Sequence, residues 1–282
     1  MTSDNGAFAN ADGSTIYVVG GYNQQYFAPD SLATTFSFET ADALAGNNLQ
    51  FTKRADLNIG RGDIHAVTSA DGSKAYVAGG YNSYPCVPLS STEVYDFATD
   101  SWSPTGDLLA ARGDGAMVEA SGTIFAIGGE INHPDQCAAP ELVPPLAHQS
   151  LAVNDVEALE YTSVSSMEEW VEVADIPEFR FRFSAASDPK TGIAYAFGGQ
   201  TSFDESCSCF PTTTEITMID SGILLTGEDG AASNGGVSGG LSGTTDIEED
   251  MIQEASGGVA TAIYKQSLVV TAIMVITVAI LG

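Results

Sequence analysis

Asp12–Asn23 reads DGSTIYVVGGYN, and fifty-nine residues later Asp71–Asn82 reads DGSKAYVAGGYN, identical at nine of twelve positions. A stretch written twice marks an internal repeat, so its extent has to be found before other features are weighed. Aligning every Gly-Gly doublet that follows a short apolar run gives four copies: TIYVVGGYN from Thr15, KAYVAGGYN from Lys74, TIFAIGGEI from Thr123 and IAYAFGGQT from Ile193. Each run has the β-branched and aromatic content of a buried strand. The doublets Gly20-Gly21, Gly79-Gly80, Gly128-Gly129 and Gly198-Gly199 end these strands where the backbone must turn or pack closely.

Other landmarks keep the same phase. Ahead of three doublets stands an acidic residue and, five residues on, an arginine: Asp56 with Arg61, Asp107 with Arg112, and Asp175 with Arg180. After the doublets come further strand-like runs, TTFSFET, STEVYDF, DVEALEY and TTTEITMID, and in two copies a strand around Trp102 or Trp170 closes the unit. The order is arginine, strand, strand ending in Gly-Gly, loop, strand, Trp strand. This order resembles the kelch repeat, most fully in copy two, where RGDIHAVTSADGSKAYVAGG, EVYDFATDSW and the next GDLLAAR follow it almost throughout. Copy one lacks the closing Trp, with Phe51 the nearest substitute, and copy four has no recognisable fourth strand.

The resemblance implies an all-β fold, a kelch-like β-propeller over residues 1–220. A four-stranded blade cannot bury both faces alone, so blades stack radially around an axis. Propellers of this family usually have six or seven blades. Four units therefore imply either an unusually small ring or a partial one whose first blades precede residue 1.

Composition bounds the partners. Nine Lys plus Arg against 37 Asp plus Glu leave a net charge of -28, which repels phosphate backbones and excludes nucleic acid. Residues 221–258 are Gly, Ser and Ala punctuated by acids, too poor in large apolar side chains to order themselves, and read as an acidic linker.

The four cysteines, Cys86, Cys137, Cys207 and Cys209, all follow a doublet, in loops between second and third strands. Neighbouring blades would bring these loops to one face. An even count on exposed loops reads as disulfides in an oxidising compartment, for instance Cys86 with Cys137, or Cys137 with Cys207 or Cys209. A metal site from His133, Cys137, Cys207 and Cys209 is the sharper alternative, although its spacing matches no standard zinc motif.

Residues 259–282 form the membrane-facing segment. The last sixteen, SLVVTAIMVITVAILG, carry no charge. As a helix they would reach about 24 Å, short of the roughly 30 Å hydrocarbon layer. Small residues around Ser256, an eight-residue spacer and the apolar tail match a glycolipid-anchor signal with Ser256 as attachment site; a single membrane-spanning helix is the alternative. Either anchor requires a secretory signal, and the first residues carry none, so the expected cell-surface protein would begin upstream.

No phosphate loop, nucleophile elbow, paired-His motif or cofactor motif appears, and only three histidines, His65, His133 and His148, are present. Arg61-Gly62-Asp63 and Arg112-Gly113-Asp114 spell a tripeptide read by integrin-type receptors, but both occupy one repeat slot, which is account enough for them. Tyr22, Asn23, Tyr81, Asn82, Glu130 and Gln200, just past the doublets, begin loops on one face and are the candidate binding positions. The expected function is a cell-surface module that binds protein or glycan. The alternative is an extracellular carbohydrate-active enzyme, of the oxidase or sugar-isomerising kind.

Overall fold

Four apolar runs that are hydrophobic on both sides, rather than alternating, need cover on both faces, and the architecture supplies it. The computed structural model describes residues 2–23, 30–82, 88–132, 150–160 and 168–220. The linker, the tail with Ser256, Cys86, Cys137, His133 and His148 lie outside the described residues. Among the described residues no helix is long and apolar enough to cross a membrane.

In chain order the strands are Thr2–Ser3 (β1), Gly6–Ala9 (β2), Thr15–Val19 (β3), Tyr22–Asn23 (β4), Asp30–Ser31 (β5), Thr35–Glu39 (β6), Thr52–Lys53 (β7), Ala66–Thr68 (β8), Lys74–Ala78 (β9), Thr92–Asp96 (β10), Ser101–Pro104 (β11), Ala116–Ala120 (β12), Thr123–Asn132 (β13), Ser150–Glu160 (β14), Trp170–Glu172 (β15), Ser184–Asp188 (β16), Ile193–Phe197 (β17) and Ile216–Asp220 (β18). One short helix, Thr40–Leu44 (α1), follows β6. The strands form four antiparallel blades: β2-β3-β6-β7, β8-β9-β10-β11, β12-β13-β14-β15 and the three-stranded β16-β17-β18. A small sheet, β1-β4-β5, stands at one end of blade one. The fold is an all-β propeller of four blades among the described residues, as the repeat predicts.

The first strands β2, β8, β12 and β16 are neighbours from blade to blade and line the axis. Between successive blades lie three apolar cores. Phe8, Tyr17 and Val19 of blade one meet Ala75, Val77, Tyr95 and Trp102 of blade two. Tyr76, Ala78 and Val94 on the far side of blade two meet Ile124, Ala126, Leu159 and Trp170 of blade three. Phe125, Ile127 and Val156 of blade three meet Phe183, Ala194, Ala196 and Ile219 of blade four. Alternate residues of one strand thus serve different joints, which is why the central strands read as continuous apolar runs.

The tryptophans belong to these joints. Trp102 Nε1 donates to Thr35 Oγ1 of blade one at 3.1 Å, and Trp170 Nε1 donates to the equivalent Thr92 Oγ1 of blade two at 3.1 Å. In blade one the register places Phe51 in the Trp slot: β6 pairs Ser37 with Thr52 as β10 pairs Val94 with Ser103, one position further along. Phe51 packs on Phe38 at 5.5 Å between ring centroids, as Trp102 packs on Tyr95 at 5.1 Å.

Candidate functional site

Arginine and Gly-Gly, the two strongest features of the repeat, are ends of one device. The second glycine of each doublet donates its N–H to the carbonyl of the next blade's arginine: Gly21 to Arg61, Gly80 to Arg112 and Gly129 to Arg180, each at 2.8 Å. The first glycine sits in the left-handed region, at φ 67° for Gly20 and 69° for Gly79. A Cβ on Gly79 would stand 2.3 Å from the Arg112 carbonyl oxygen, so no other residue fits this approach.

Each arginine side chain turns back into its own blade. Arg61 is fully buried, donating to the carbonyls of Gly79 and Ser91 at 2.9 and 2.6 Å and pairing with Glu93 at 3.0 Å. Arg112 pairs with Glu157 at 2.7 Å in the same way. Arg180 meets Thr217 at that strand position, at 2.9 Å, and takes its carboxylate from Glu178 at 2.7 Å. Blade one has Thr2 and Phe36 in the two slots, so cation and anion are lost together. The arginines of the two Arg-Gly-Asp tripeptides therefore lie inside the blades.

Two residues beyond each arginine slot, the blades converge on the axis. Asp4, Asp63, Asp114 and Arg182 occupy this position, one per blade, all left-handed with φ between 52° and 57°. Their backbones form a ladder around the mouth: Asp63 N–H donates to Asp4 O at 3.1 Å, Asp114 N–H to Asp63 O at 3.0 Å, and Arg182 N–H to Asp114 O at 2.8 Å. Non-glycine residues held left-handed store of order 1 kcal/mol each and concentrate at functional places.

The residue after each doublet closes over the mouth. Tyr22 OH donates to Asp63 Oδ2 at 2.8 Å, and Tyr81 OH donates to the Glu130 carbonyl at 3.0 Å. Their rings lie against Gly62 and Gly113, where an added Cβ would come within 2.4 Å of Tyr22 Cε2 or Tyr81 Cε2. That contact explains the glycine in both tripeptides. At the next joint Glu130 replaces the tyrosine and buried Phe181 replaces the glycine, a coordinated exchange. Gln200 bridges back to Phe181. Tyr81 and Glu130 are buried, whereas Tyr22, Asn23, Asn82 and Gln200 are half-buried; Asn82 Nδ2 donates to Gly60 O at 2.9 Å.

Charge is concentrated here. Burial pushes the Asp63 carboxyl up to about 7, Asp114 and Asp4 push the same way, and the Tyr22 hydroxyl opposes them. Asp114 is also raised, chiefly by burial, although Arg182 Nε donates to its Oδ2 at 2.9 Å. Burial and then Asp63 hold Tyr22 protonated far above the ordinary phenol range. A cavity of about 20 Å³, lined by Asp63, His65, Arg112 and Gly128 among others, opens between blades two and three, room for one water but not for a sugar. His65 stands immediately before β8, and burial holds its imidazole below the ordinary range. Among the described residues no three His, Cys, Asp or Glu side chains are placed to hold a metal ion.

The expected pairing of Cys137 with Cys207 or Cys209 is overturned, while that of Cys86 with Cys137 lies outside the described residues. Cys207 and Cys209 are joined to each other, with S–S 2.06 Å, in the loop between β17 and β18. The turn that pairs Asp204 with Cys209 brings them together, so proximity along the chain prevails over the reach between blades. The ring of Asp4, Asp63, Asp114 and Arg182, and the glutamates opposite the arginines, were not singled out by sequence; the signal was there in the two aspartates that share a repeat slot.

Residues 65–109 match the model of the kelch motif. No curated protein matches the chain. Some 250 solved chains match its fold, too many for the fold to select a function. One of them, titled "Structure of YjhT", is 16% identical with a TM-score of 0.56, over 79% of this chain and 69% of that one. The Gly-Gly and arginine clasp recurs at successive joints, so the kelch motif matched over residues 65–109 sits in a β-propeller of four blades among the described residues.

Proposed function

We propose that this chain is a binding module that presents the mouth of its propeller to a protein ligand at a cell surface. The observation that carries the reading is the ladder through Asp4, Asp63, Asp114 and Arg182. It is a rigid backbone frame whose slots hold different charged side chains, with connections of different length and sequence departing beside each one. Variable loops on an invariant scaffold suit recognition. A net charge of -28 favours a partner whose contact surface is neutral or basic; a glycan is the uncharged variant of the same reading. The Cys207–Cys209 disulfide supports an oxidising compartment. The acidic linker at 221–258 then spaces the propeller from a membrane held by residues 259–282, or by a lipid on Ser256.

The test is a tagged full-length chain expressed in cells, labelled by an impermeant biotin reagent and then treated with a phosphatidylinositol-specific phospholipase. Labelling with release supports the glycolipid form, labelling without release the spanning form, and no labelling sinks the cell-surface assignment. A photo-crosslinker at Asn82 should capture partner protein in higher yield than one at Lys190, on the β16–β17 turn at the other end of a blade. Equal yields would remove the mouth as the binding face.

One observation favours a second reading, proton transfer on a sugar that meets Asp63 at the mouth, since the cavity it lines admits one water only. Asp63, raised to about 7 beside Tyr22 and near Arg182, has the proton affinity of a general acid or base at neutral pH. Exchange between sugar anomers followed by NMR, lost in Asp63→Asn and rising with pH through about 7, would establish it; equal rates in both proteins would dismiss it.

A further inference from the structure

The loop between β17 and β18 carries chemistry that neither the clasp nor the mouth uses. Cys207 and Cys209 are joined across a single residue, and both are exposed, as are Asp204, Glu205, Ser206 and Ser208 around them. Exposure gives an attacking thiol access to either sulfur. A cross-link that encloses one residue gains little from loop closure, because the loop it removes from the unfolded chain is among the shortest possible. It also constrains the backbone: Ser208, the enclosed residue, is held left-handed at φ 52°. Non-glycine residues avoid that region unless the structure holds them there. The bond is therefore weakly favoured and openly placed, as labile disulfides are.

The hairpin around the bond is held by other contacts. Asp204 N–H donates to Cys209 O at 2.8 Å and Cys209 N–H to Asp204 O at 3.3 Å. Phe203 packs on Phe210 at 5.3 Å between ring centroids, and Phe210 packs in turn on buried Phe181 at 5.5 Å. Opening the disulfide thus leaves both sulfurs on one anchored turn, where they can close again. Such a pair takes up a thiol at one sulfur and expels it with the other. The Ser206 hydroxyl and backbone N–H hold the Asp204 carboxyl below its usual range, and so ionised. With Glu205 beside it and a net charge of -28 overall, the turn repels an anionic thiol and draws one carried next to positive charge.

We propose that Cys207–Cys209 is a thiol–disulfide exchange site for a cysteine in a basic segment of another polypeptide. The partner's thiolate bonds to one sulfur, the bond between Cys207 and Cys209 breaks, and its electron pair leaves on the other sulfur, which takes a proton from water. The product is a mixed disulfide with one free thiol two residues away. That thiol, once deprotonated, reverses the step and releases the partner. Where the partner has a second thiol, its attack on the mixed disulfide closes a disulfide in the partner and frees both Cys207 and Cys209, so two electrons pass to this chain. The step uses no group of the mouth, so it stands apart from the function proposed above.

The full-length chain is incubated with a peptide bearing one cysteine between lysines, quenched with iodoacetamide and cut after glutamate, which isolates Ser206–Glu215. That fragment should carry one peptide and one alkylated cysteine, and the circular dichroism of the undigested chain should be unchanged. The rate should exceed that of the same peptide with glutamates for lysines by about tenfold at low salt, and the ratio should fall toward one in concentrated salt. Each rate is first divided by that peptide's rate with a neutral small disulfide, which removes differences between the thiols themselves. Cys207→Ser/Cys209→Ser should lose the adduct, which separates this pair from Cys86 and Cys137. An adduct that forms only once urea unfolds the chain, one that persists in the double variant, or equal rates for the two peptides would each overturn the proposal.

Discussion

Blade two and blade four share the strand order and the Gly-Gly turn, but blade two lies between neighbours and blade four has one open face. In blade two, Arg61 draws its counterion from the third strand, Glu93, and Trp102 reaches back to Thr35. In blade four the corresponding strand position is Thr217, the counterion Glu178 comes from the loop before the arginine, and Phe197, Ile216 and Met218 face solvent. The sheets themselves are alike. What changes are the residues that would meet another blade, so the repeat signature describes joints more than blades.

The largest effect should come from the arginine slot. Arg61→Ala leaves Glu93 buried without its cation, and removing one partner of a buried pair costs about 3–5 kcal/mol. Arg180→Ala leaves Glu178, whose side chain is 32% exposed, able to take up water, so the loss should be nearer 1–2 kcal/mol. Urea midpoints at constant slope would measure both. Equal losses would mean that the two blades clasp their arginines alike.

The Trp slot sharpens the comparison from the other end. Trp170→Ala empties a buried joint and should cost about 3–4 kcal/mol. Phe51→Ala should cost about 1 kcal/mol, since half the ring is already in water. A larger loss at Phe51 would show that blade one depends on its own cap as much as inner blades depend on neighbours.

The doublets, arginines and tryptophans were legible in the sequence because each answers one geometric demand repeated at each joint. Gly79 must admit a carbonyl, Arg112 must span a blade, and Trp170 must fill a gap. Phe51 could be placed in the Trp slot from spacing alone. The mouth was harder. Asp63 and Asp114 are visible as a pair, but Asp4 stands without its arginine and Arg182 reverses the charge, so the ring of four emerges only from the backbone ladder. Glu93 and Glu157 read as ordinary strand residues, because nothing local marks a buried cation across the sheet. Cys207 and Cys209 were harder for a related reason: loop lengths indicate which residues could meet between blades, whereas the turn at Asp204 pairs these two with each other.

The tyrosine-glycine contact should give the next largest effect. Gly62→Ala pushes a methyl group against the Tyr22 ring and should cost about 1–3 kcal/mol. The following joint carries Glu130 and Phe181 in the same two slots, so the pair exchanges as a unit. Gly62→Phe with Tyr22→Glu should therefore be less destabilising than the sum of its parts by about 1 kcal/mol, read from a double-mutant cycle. Additive losses would show that the exchange at Phe181 depends on Phe210, which packs against it at 5.5 Å, and not on the residue it faces.

The effect most specific to the mouth concerns protons. Asp63 is raised from 3.8 to about 7 when the chain folds, so the folded protein binds a proton that the unfolded chain has released. Its contribution to stability is complete below about pH 4, is lost as pH rises through about 7, and changes no further above that. Asp114, Glu130 and Asp4 share the field that sets this value, and Arg182 and Tyr22 oppose it, so the slope belongs to the group as a whole. Asp63→Asn keeps the shape and can still accept from Tyr22, but removes the titrating group. Relative to wild type it should be indifferent or slightly unfavourable near pH 4 and favourable at pH 8. Unfolding midpoints at several pH values would show the two curves cross. Parallel curves would place the raised proton affinity elsewhere on the mouth, and the cluster would then differ from the buried arginine pairs only in its exposure to solvent.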